Sequence, residues 1–222
     1  MDIQDQINKA KELDAAGIEA AGAGDVEKAV KIFESAAEIY EGMGDSINRA
    51  SNLFRLANCY HLLKKNTLAL DAYKKVYNIV KGNEKLVEYQ AMILNNLGHL
   101  YVSIKDYDNA LKSFEKSFEN YETLKNENGR ALQIQNIGSV HRDLKESEQA
   151  LEAYFKSIAI FEKIENRIGE ADQCTNIAYI YARDNNISEA LKWYKRAFVI
   201  YSDINEDKKA ALTEKNIKKL EE

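Results

Sequence analysis

The chain has 222 residues, of which 45% are hydrophobic and 30% are charged, and its formal net charge is −5 at pH 7. This length allows one or two ordinary domains or one elongated array, with enough apolar residues for a core. The net negative charge does not indicate a basic surface for binding nucleic acid or anionic lipid. No apolar run approaches the roughly 18 residues of a membrane span. The polar N-terminus is no signal peptide, so we expect a cytoplasmic protein without nucleic-acid or membrane partners.

The cysteine and proline content narrows the class of protein further. Cys59 and Cys174 are 115 residues apart and have no partner at metal-ligand spacing. They are predicted to be buried thiols in a reducing compartment rather than a disulfide. The chain contains no proline, which fits long helices joined by short turns.

A pattern of five positions recurs five times, at intervals of 40 or 41 residues. Each copy begins at a small residue, and in most copies a ring follows three positions later. An alanine, a ring and a small or β-branched residue follow at 12, 16 and 19 positions. A motif that returns at a fixed interval indicates a repeat architecture rather than one catalytic site. The small residues are Gly17, Ala57, Gly98, Gly138 and Ala178; the alanines are Ala29, Ala69, Ala110, Ala150 and Ala190; the later rings are Phe33, Tyr73, Phe114, Tyr154 and Tyr194.

The spacing inside each copy predicts two helices divided by a turn, because the matching residues fall three or four apart on either side of a break. The small residue and the alanine let the two helix axes approach closely, and the later ring fills the space beside them. Turn and N-cap residues are expected at each break. These stretches are Gly22–Asp25, Lys64–Asn66, Ile104–Asp106, Lys145–Ser147 and Asp184–Asn186.

In chain order, the pattern predicts one array with repeats at 4–44, 45–84, 85–126, 127–166 and 167–205. The extra residue of the 41-residue interval is placed in the turn Gly82–Lys85. Tyr40–Ala50, Tyr121–Ala131 and Phe161–Ala171 are predicted to be helix ends that extend into the next repeat. Residues 206–222 keep the first-helix register but replace the small residue and the ring by Lys218 and Glu221, which predicts a polar capping helix.

These residues resemble those of tetratricopeptide repeats over about residues 15–205, in a variety longer than the usual 34-residue period. The chain lacks the proline that usually closes the second helix of such a repeat. The resemblance implies an all-α fold, a right-handed superhelical solenoid of five helix pairs plus a C-terminal capping helix. It also implies a non-catalytic scaffold or adaptor that binds a peptide segment or helix of another protein in a concave groove.

By this resemblance, ligand contacts come from the first helix of each repeat, at positions −3, −2, +1 and +4 from the small residue. The cations of the family's carboxylate clamp are missing there, so an adaptor for chaperone tails is not expected. A wider set of positions includes Asp14, Phe54, Arg55 and Ala182. The predicted groove residues are Asn58, His61, Asn95, Asn96, His99, Gln135, Asn136, Ser139, Arg142, Thr175, Asn176, Tyr179 and Arg183.

Two roles remain open for Asn96, Asn136 and Asn176, which stand two residues before successive small residues. A partly buried amide must find hydrogen-bond partners, so the row either pairs with a ligand backbone or fixes the stacking of the helices. Arg142 and Arg183 are predicted to add a preference for acidic residues in the ligand.

No motif for catalysis is present. The three histidines lie in different repeats, and there is no Gly-rich phosphate loop, no Ser/His/Asp set and no Cys-x-x-Cys. We therefore expect no enzymatic activity, no cofactor and no bound metal. Trp193 replaces mostly small residues and is predicted to pack on the capping helix, or else to mark a contact patch.

The alternative function is self-assembly of a structural protein through its ends or its convex face. A third possibility is that the array is a sensor fragment of a larger signalling protein. It is less favoured, because the chain starts at Met1 and ends in the pattern of a cap.

Overall fold

The computed structural model describes residues 2–222, in which eleven α-helices and one short 3-10 helix follow one another without a strand. The all-α prediction is therefore confirmed. The helices are α1 Ile3–Gly22, α2 Val26–Gly42, α3 Ser46–Leu62, α4 Asn66–Val80, α5 Val87–Ser103, α6 Tyr107–Thr123, α7 Glu127–Asp143, α8 Ser147–Lys163, α9 Arg167–Arg183, α10 Ile187–Asp203 and α11 Asp207–Glu221. Within residues 2–222, no helix has both the length and the apolar character to span a membrane.

The 40-residue period arises from helices of 17 residues separated by turns of three, as in α7 to α10. The α4–α5 connection departs from this rule because it contains the 3-10 helix Glu84–Leu86, so the extra residue lies where it was predicted. Tyr40–Ala50, Tyr121–Ala131 and Phe161–Ala171 each contain a three-residue turn. The prediction of helix ends running through these stretches is therefore wrong.

One hydrogen-bond pattern closes these turns and explains why the helices stop there. In the first turn, the N–H of Gly24 donates to the carbonyl of Ala21 at 3.1 Å and the N–H of Asp25 donates to the carbonyl of Ala20 at 2.9 Å. The Asp25 side chain then caps α2 by accepting from the N–H of Lys28 at 3.2 Å. Asp25 thus has two roles: its N–H pairs with a carbonyl at the end of α1, and its side chain caps the start of α2. Few backbone groups are therefore left unpaired at the turn.

The middle residue of each such turn has a left-handed conformation, but only the first two turns use glycine there. The predicted stretches at Lys64–Asn66 and Lys145–Ser147 do form turns, yet their N-cap residues make no side-chain cap bond. Side-chain caps come from Asp25, Asp45, Asp106, Asn126, Asn166 and Asn186.

The chain forms two compact units, one up to Ser113 and one from Phe114 onward. In the first unit, each helix from α1 to α4 packs against the next, and α7 to α10 do the same in the second. The helix α6 contains the boundary between the units. Each unit is described separately below.

The recurring residues form the buried core of both units. All five alanines at the third position of the pattern have no exposed surface. In the first unit, a Cβ added to Gly17 would lie 2.5 Å from the Phe33 ring, and in the second a Cβ on Gly138 would lie 2.9 Å from the Tyr154 ring. The ring therefore packs directly on the small residue of its own repeat, as predicted.

A second contact of the same kind joins successive repeats in the second unit. A Cβ on Gly129 would lie 2.5 Å from the Tyr121 ring, and a Cβ on Gly169 would lie 2.7 Å from the Phe161 ring. Each ring belongs to the second helix of one repeat and each glycine to the first helix of the next. Because glycine has no side chain, the ring of one repeat can pack directly against the first helix of the next repeat.

Both cysteines are buried free thiols, as predicted. Burial raises the pKa of Cys59, and it raises the pKa of Cys174 to about 12. The thiols are therefore protonated at neutral pH and act as small apolar groups in the core.

Candidate peptide-binding face

The first-helix face is defined here as the predicted groove positions on α3 and α5 in the first unit and on α7 and α9 in the second. In the first unit, Asn58, Asn95 and Asn96 form one hydrogen-bonded group with Tyr73. The Oδ1 of Asn58 accepts from the Tyr73 hydroxyl and, at 3.5 Å, from the Nδ2 of Asn96. The Nδ2 of Asn95 donates to the Oδ1 of Asn96 at 3.3 Å. These bonds link α3 to α5.

The Tyr73 hydroxyl fixes the orientation of the Asn58 amide. Burial raises the pKa of Tyr73 to about 12, so the hydroxyl remains a hydrogen-bond donor at neutral pH. Because Asn58 accepts two bonds through its oxygen, its Nδ2 must point elsewhere, and this nitrogen donates no hydrogen bond among residues 2–222. It can therefore donate to a ligand carbonyl.

The second unit repeats part of this arrangement. The Oγ of Ser139 lies 3.2 Å from the Tyr154 hydroxyl, in the same register as Asn58 and Tyr73. Burial raises the pKa of Tyr154 as well. The prediction that these rings fill the core does not account for their hydroxyl groups. The sequence holds only part of the signal: Tyr73 and Tyr154 stand 15 residues after Asn58 and Ser139, and Phe33 stands 15 residues after Ile18, but Phe114 follows the polar His99 at the same distance.

Glutamine and asparagine side chains link α7 to α9 in the second unit. The Nε2 of Gln173 donates to the Oε1 of Gln135 at 2.6 Å, and the Nδ2 of Asn176 donates to the Oε1 of Gln173 at 3.4 Å. Asn136, on α7, is half-buried and also interacts with another part of the protein. The first-helix face therefore contains amides that bridge neighbouring helices in each unit.

The remaining predicted residues contribute unequally to the face. The hydroxyl of Thr175 donates to the carbonyl of Ala171 in its own helix at 3.1 Å, whereas Tyr179 is 49% exposed. The Nδ1 of His61 is buried and has no hydrogen-bond partner among the described residues. Desolvation by burial, together with the electrostatic interaction with His61, lowers the pKa of His99, which favours a neutral imidazole.

The two predicted groove arginines already have acceptors within the protein. Arg142 donates through Nε and Nη2 to Oδ1 of Asp143, at 3.0 and 2.8 Å. Arg183 donates to Asp184 at 3.1 Å, to the carbonyl of Arg142 at 3.0 Å and to Ser147 at 2.6 Å. The Arg183 bonds hold the end of α9 against the α7–α8 turn. Both guanidinium groups therefore form hydrogen bonds within the protein.

Trp193 packs mainly on the preceding repeat. Its ring lies edge-to-face with Phe155 of α8, at 5.5 Å between centroids, and the Arg196 guanidinium lies 5.4 Å from its centroid. Trp193 also packs beside a buried cluster that includes Ile217 of α11. The preferred prediction, packing on the capping helix, therefore captures only part of its surroundings.

Within residues 2–222, no group of three or more histidine, cysteine, aspartate or glutamate side chains is arranged to hold a metal ion. The face instead presents amides, hydroxyls and apolar side chains. Such groups can bind a polypeptide backbone and its side chains.

These features define a helical-repeat protein, and residues 11–82, 89–163 and 171–206 match the tetratricopeptide-repeat family. The chain belongs to this family, and its predicted all-α solenoid class is confirmed. Membership of the tetratricopeptide-repeat family supports a general protein-interaction role.

Among curated proteins, the chain is similar to Regulatory protein RapF of Bacillus subtilis (strain 168), with 24% identity over 101 residues, which is 44% of this chain and 26% of RapF. Among solved structures, it is similar to aspartyl phosphate phosphatase F from Bacillus subtilis, with a TM-score of 0.83 and 18% identity over 94% of this chain and 55% of that one. It also resembles a Rap protein complexed with competence and sporulation factor, with a TM-score of 0.69 and 18% identity over 89% of this chain and 55% of that one. The chain thus spans about a quarter of RapF and about half of each solved chain.

Proposed function

We propose that this chain is a non-catalytic adaptor whose first-helix face binds an extended peptide segment of a partner protein. The observation that carries the proposal is the orientation of Asn58, whose oxygen is held by Tyr73 and Asn96 while its nitrogen remains free to donate. An amide oriented in advance loses little conformational freedom when a ligand binds. One structural relative, a Rap protein, is complexed with competence and sporulation factor, which is consistent with ligand binding on this fold.

The proposal assigns a role to the asparagine row. An extended peptide presents an N–H and a carbonyl at each residue, and an asparagine amide offers both a donor and an acceptor. Asn96, Asn136 and Asn176 occupy the same register in three successive repeats. We propose that each of them contacts peptide backbone, while the exposed Tyr179 ring of the second unit contacts ligand side chains.

A purely structural role for the amides is the main competing explanation. The bonds Asn96–Asn58 and Gln173–Gln135 each join two first helices, as a stacking device would. Self-association through the ends has less support, because the exposed positions of α1 and α11 are mostly polar or charged. These positions include Gln4, Asp5, Lys9, Lys11, Glu12, Lys208, Glu214, Lys215, Lys218 and Lys219.

Selection from a library of random peptides displayed on phage tests the proposal. The full chain should select extended, sequence-related peptides, and the triple variant Asn96→Ala, Asn136→Ala, Asn176→Ala should bind them about tenfold more weakly or worse, because several hydrogen bonds of roughly 1 kcal/mol are lost. Thermal unfolding of the same variant is the control. Normal binding combined with a much lower melting temperature would show that the amides are structural.

A further inference from the structure

A cleft of about 240 Å³ lies on the first-helix side of the first unit, between α1 and α3. Its rim is apolar and accessible to solvent, since Ile18 is 50% exposed and Leu62 is 69% exposed. Its floor is buried and formed by Phe33 and Cys59. Ala21 and two polar side chains, Arg55 and Asn58, complete the lining. The cleft therefore combines an exposed apolar rim with a charged edge.

Arg55 differs from every other arginine of the chain, all of which lie in residues 2–222. The other six each have a carboxylate oxygen within salt-bridge distance. These pairs involve Arg49, Arg130, Arg142, Arg167, Arg183 and Arg196. Arg55 has no carboxylate partner among the described residues and donates only to the Oγ of Ser51, at 2.9 Å.

Asp14 and Arg55 both lie close enough to Tyr40 to influence its pKa. The Asp14 carboxylate accepts a hydrogen bond from the Tyr40 hydroxyl at 2.8 Å and forms no ion pair with Arg55. The guanidinium can form two parallel bonds to a carboxylate, and only one of its nitrogens is used by Ser51. Arg55 is thus a half-buried cation with unused donors beside an apolar cleft.

We infer that this cleft binds an aliphatic side chain of the ligand while Arg55 pairs with the carboxylate of a neighbouring aspartate or glutamate in the same segment. The inference rests on the proposed function, because it names the residues that the bound peptide carries. It also reassigns the predicted acidic preference from Arg142 and Arg183, which have acceptors of their own, to Arg55.

The carboxylate belongs to a side chain rather than to a peptide C-terminus. The cleft has α1 on one side, whereas the polar group of Asn58, Asn95 and Asn96 continues from its other edge toward α5. Asn58 lines the cleft together with Arg55 and also accepts from Asn96, so the cleft and the group of amides adjoin each other. A segment that occupies the cleft and contacts these amides therefore has its chain continuing beyond Arg55.

The test compares peptide selection by the full chain and by three variants that differ in one residue each. The parent should enrich peptides in which an aliphatic residue stands near Asp or Glu. Arg55→Gln should lose the acidic enrichment and keep the aliphatic one, and Leu62→Ser should do the reverse. Arg49→Gln is the control, because Arg49 pairs with Glu41 away from the cleft and its selection should match that of the parent.

Synthetic peptides then distinguish the source of the carboxylate. In an acetylated and amidated peptide from the parent selection, changing the acidic residue to its amide should weaken binding to the parent about tenfold and leave binding to Arg55→Gln unchanged. The same peptide with a free C-terminus is the reference. If it binds and the amidated peptide does not, the carboxylate is terminal and the inference is wrong. If Arg55→Gln still enriches acidic peptides, the inference fails while the proposed function stands, whereas a parent that selects no peptides overturns both.

Discussion

At the scale of single residues, the recurring small and aromatic side chains act through their direct contact. Gly17 has room only for hydrogen beside Phe33, and Gly138 is equally confined by Tyr154. The sequence could predict this packing because size and spacing repeat in every copy. It could not predict which hydrogen bonds the polar tips would form, because those depend on neighbouring helices. The pairing of Arg142 with Asp143, and the absence of such a pair at Arg55, depend on the three-dimensional surroundings of each side chain.

The recurring alanines should not tolerate larger side chains. Ala110 has no exposed surface, so Ala110→Leu should lower the free energy of unfolding by about 1–3 kcal/mol through overpacking between helices. Lys112→Leu in the same helix is the control and should change stability by less than about 0.5 kcal/mol, since Lys112 is exposed. Urea unfolding of both variants makes the comparison. Equal losses would mean that the buried face of α6 has been assigned incorrectly.

At the scale of helices, the turns decide the period. Helix positions could be predicted from the spacing of apolar residues, but the turns inside Tyr40–Ala50, Tyr121–Ala131 and Phe161–Ala171 were missed. Gly44 supplies a recognisable left-handed residue, whereas Lys125 and Glu165 adopt the same conformation without glycine. Lysine and glutamate are good helix formers, so local propensity conceals these breaks. The repeated hydrogen-bond pattern of the turn reveals them.

The helix α11 should protect the apolar end of the second unit. Ile217 is 8% exposed and belongs to a buried cluster with Ala178 and Tyr194. Removing Asp207–Glu222 should expose that cluster, lower the melting temperature and promote aggregation. Ile217→Glu should lower the melting temperature for the same reason, and Lys215→Glu, at an exposed position, should not. A truncated chain that melts and scatters light like the parent would rule out a capping role.

At the scale of the whole molecule, the buried tyrosines make stability depend on alkaline pH. Burial raises the pKa values of Tyr40, Tyr60 and Tyr73 to about 12, from an ordinary value of 10.0. Because the folded-state pKa lies above that of the unfolded chain, their contribution is complete below about pH 10. It is lost as the pH rises toward 12.

Urea unfolding at several pH values from about 8 to 12 measures this dependence. The free energy of unfolding should change little up to about pH 10 and then fall steeply. Tyr60→Phe removes one of the titrating hydroxyls, so its decline above pH 10 should be shallower than that of the parent. Curves of equal steepness would show that ionisation of Tyr60 is not linked to folding.

The proposal that the first-helix face binds an extended peptide is tested most directly by mapping the binding site. A peptide selected by the parent chain is titrated into ¹⁵N-labelled protein, and the shifted amide and asparagine side-chain resonances are assigned. The predicted result is that shifts concentrate on α3, α5, α7 and α9, with the Asn58 side-chain amide and the Arg55 guanidinium among the largest. Shifts concentrated instead on the second helices, α2, α4, α6, α8 and α10, would contradict the proposal.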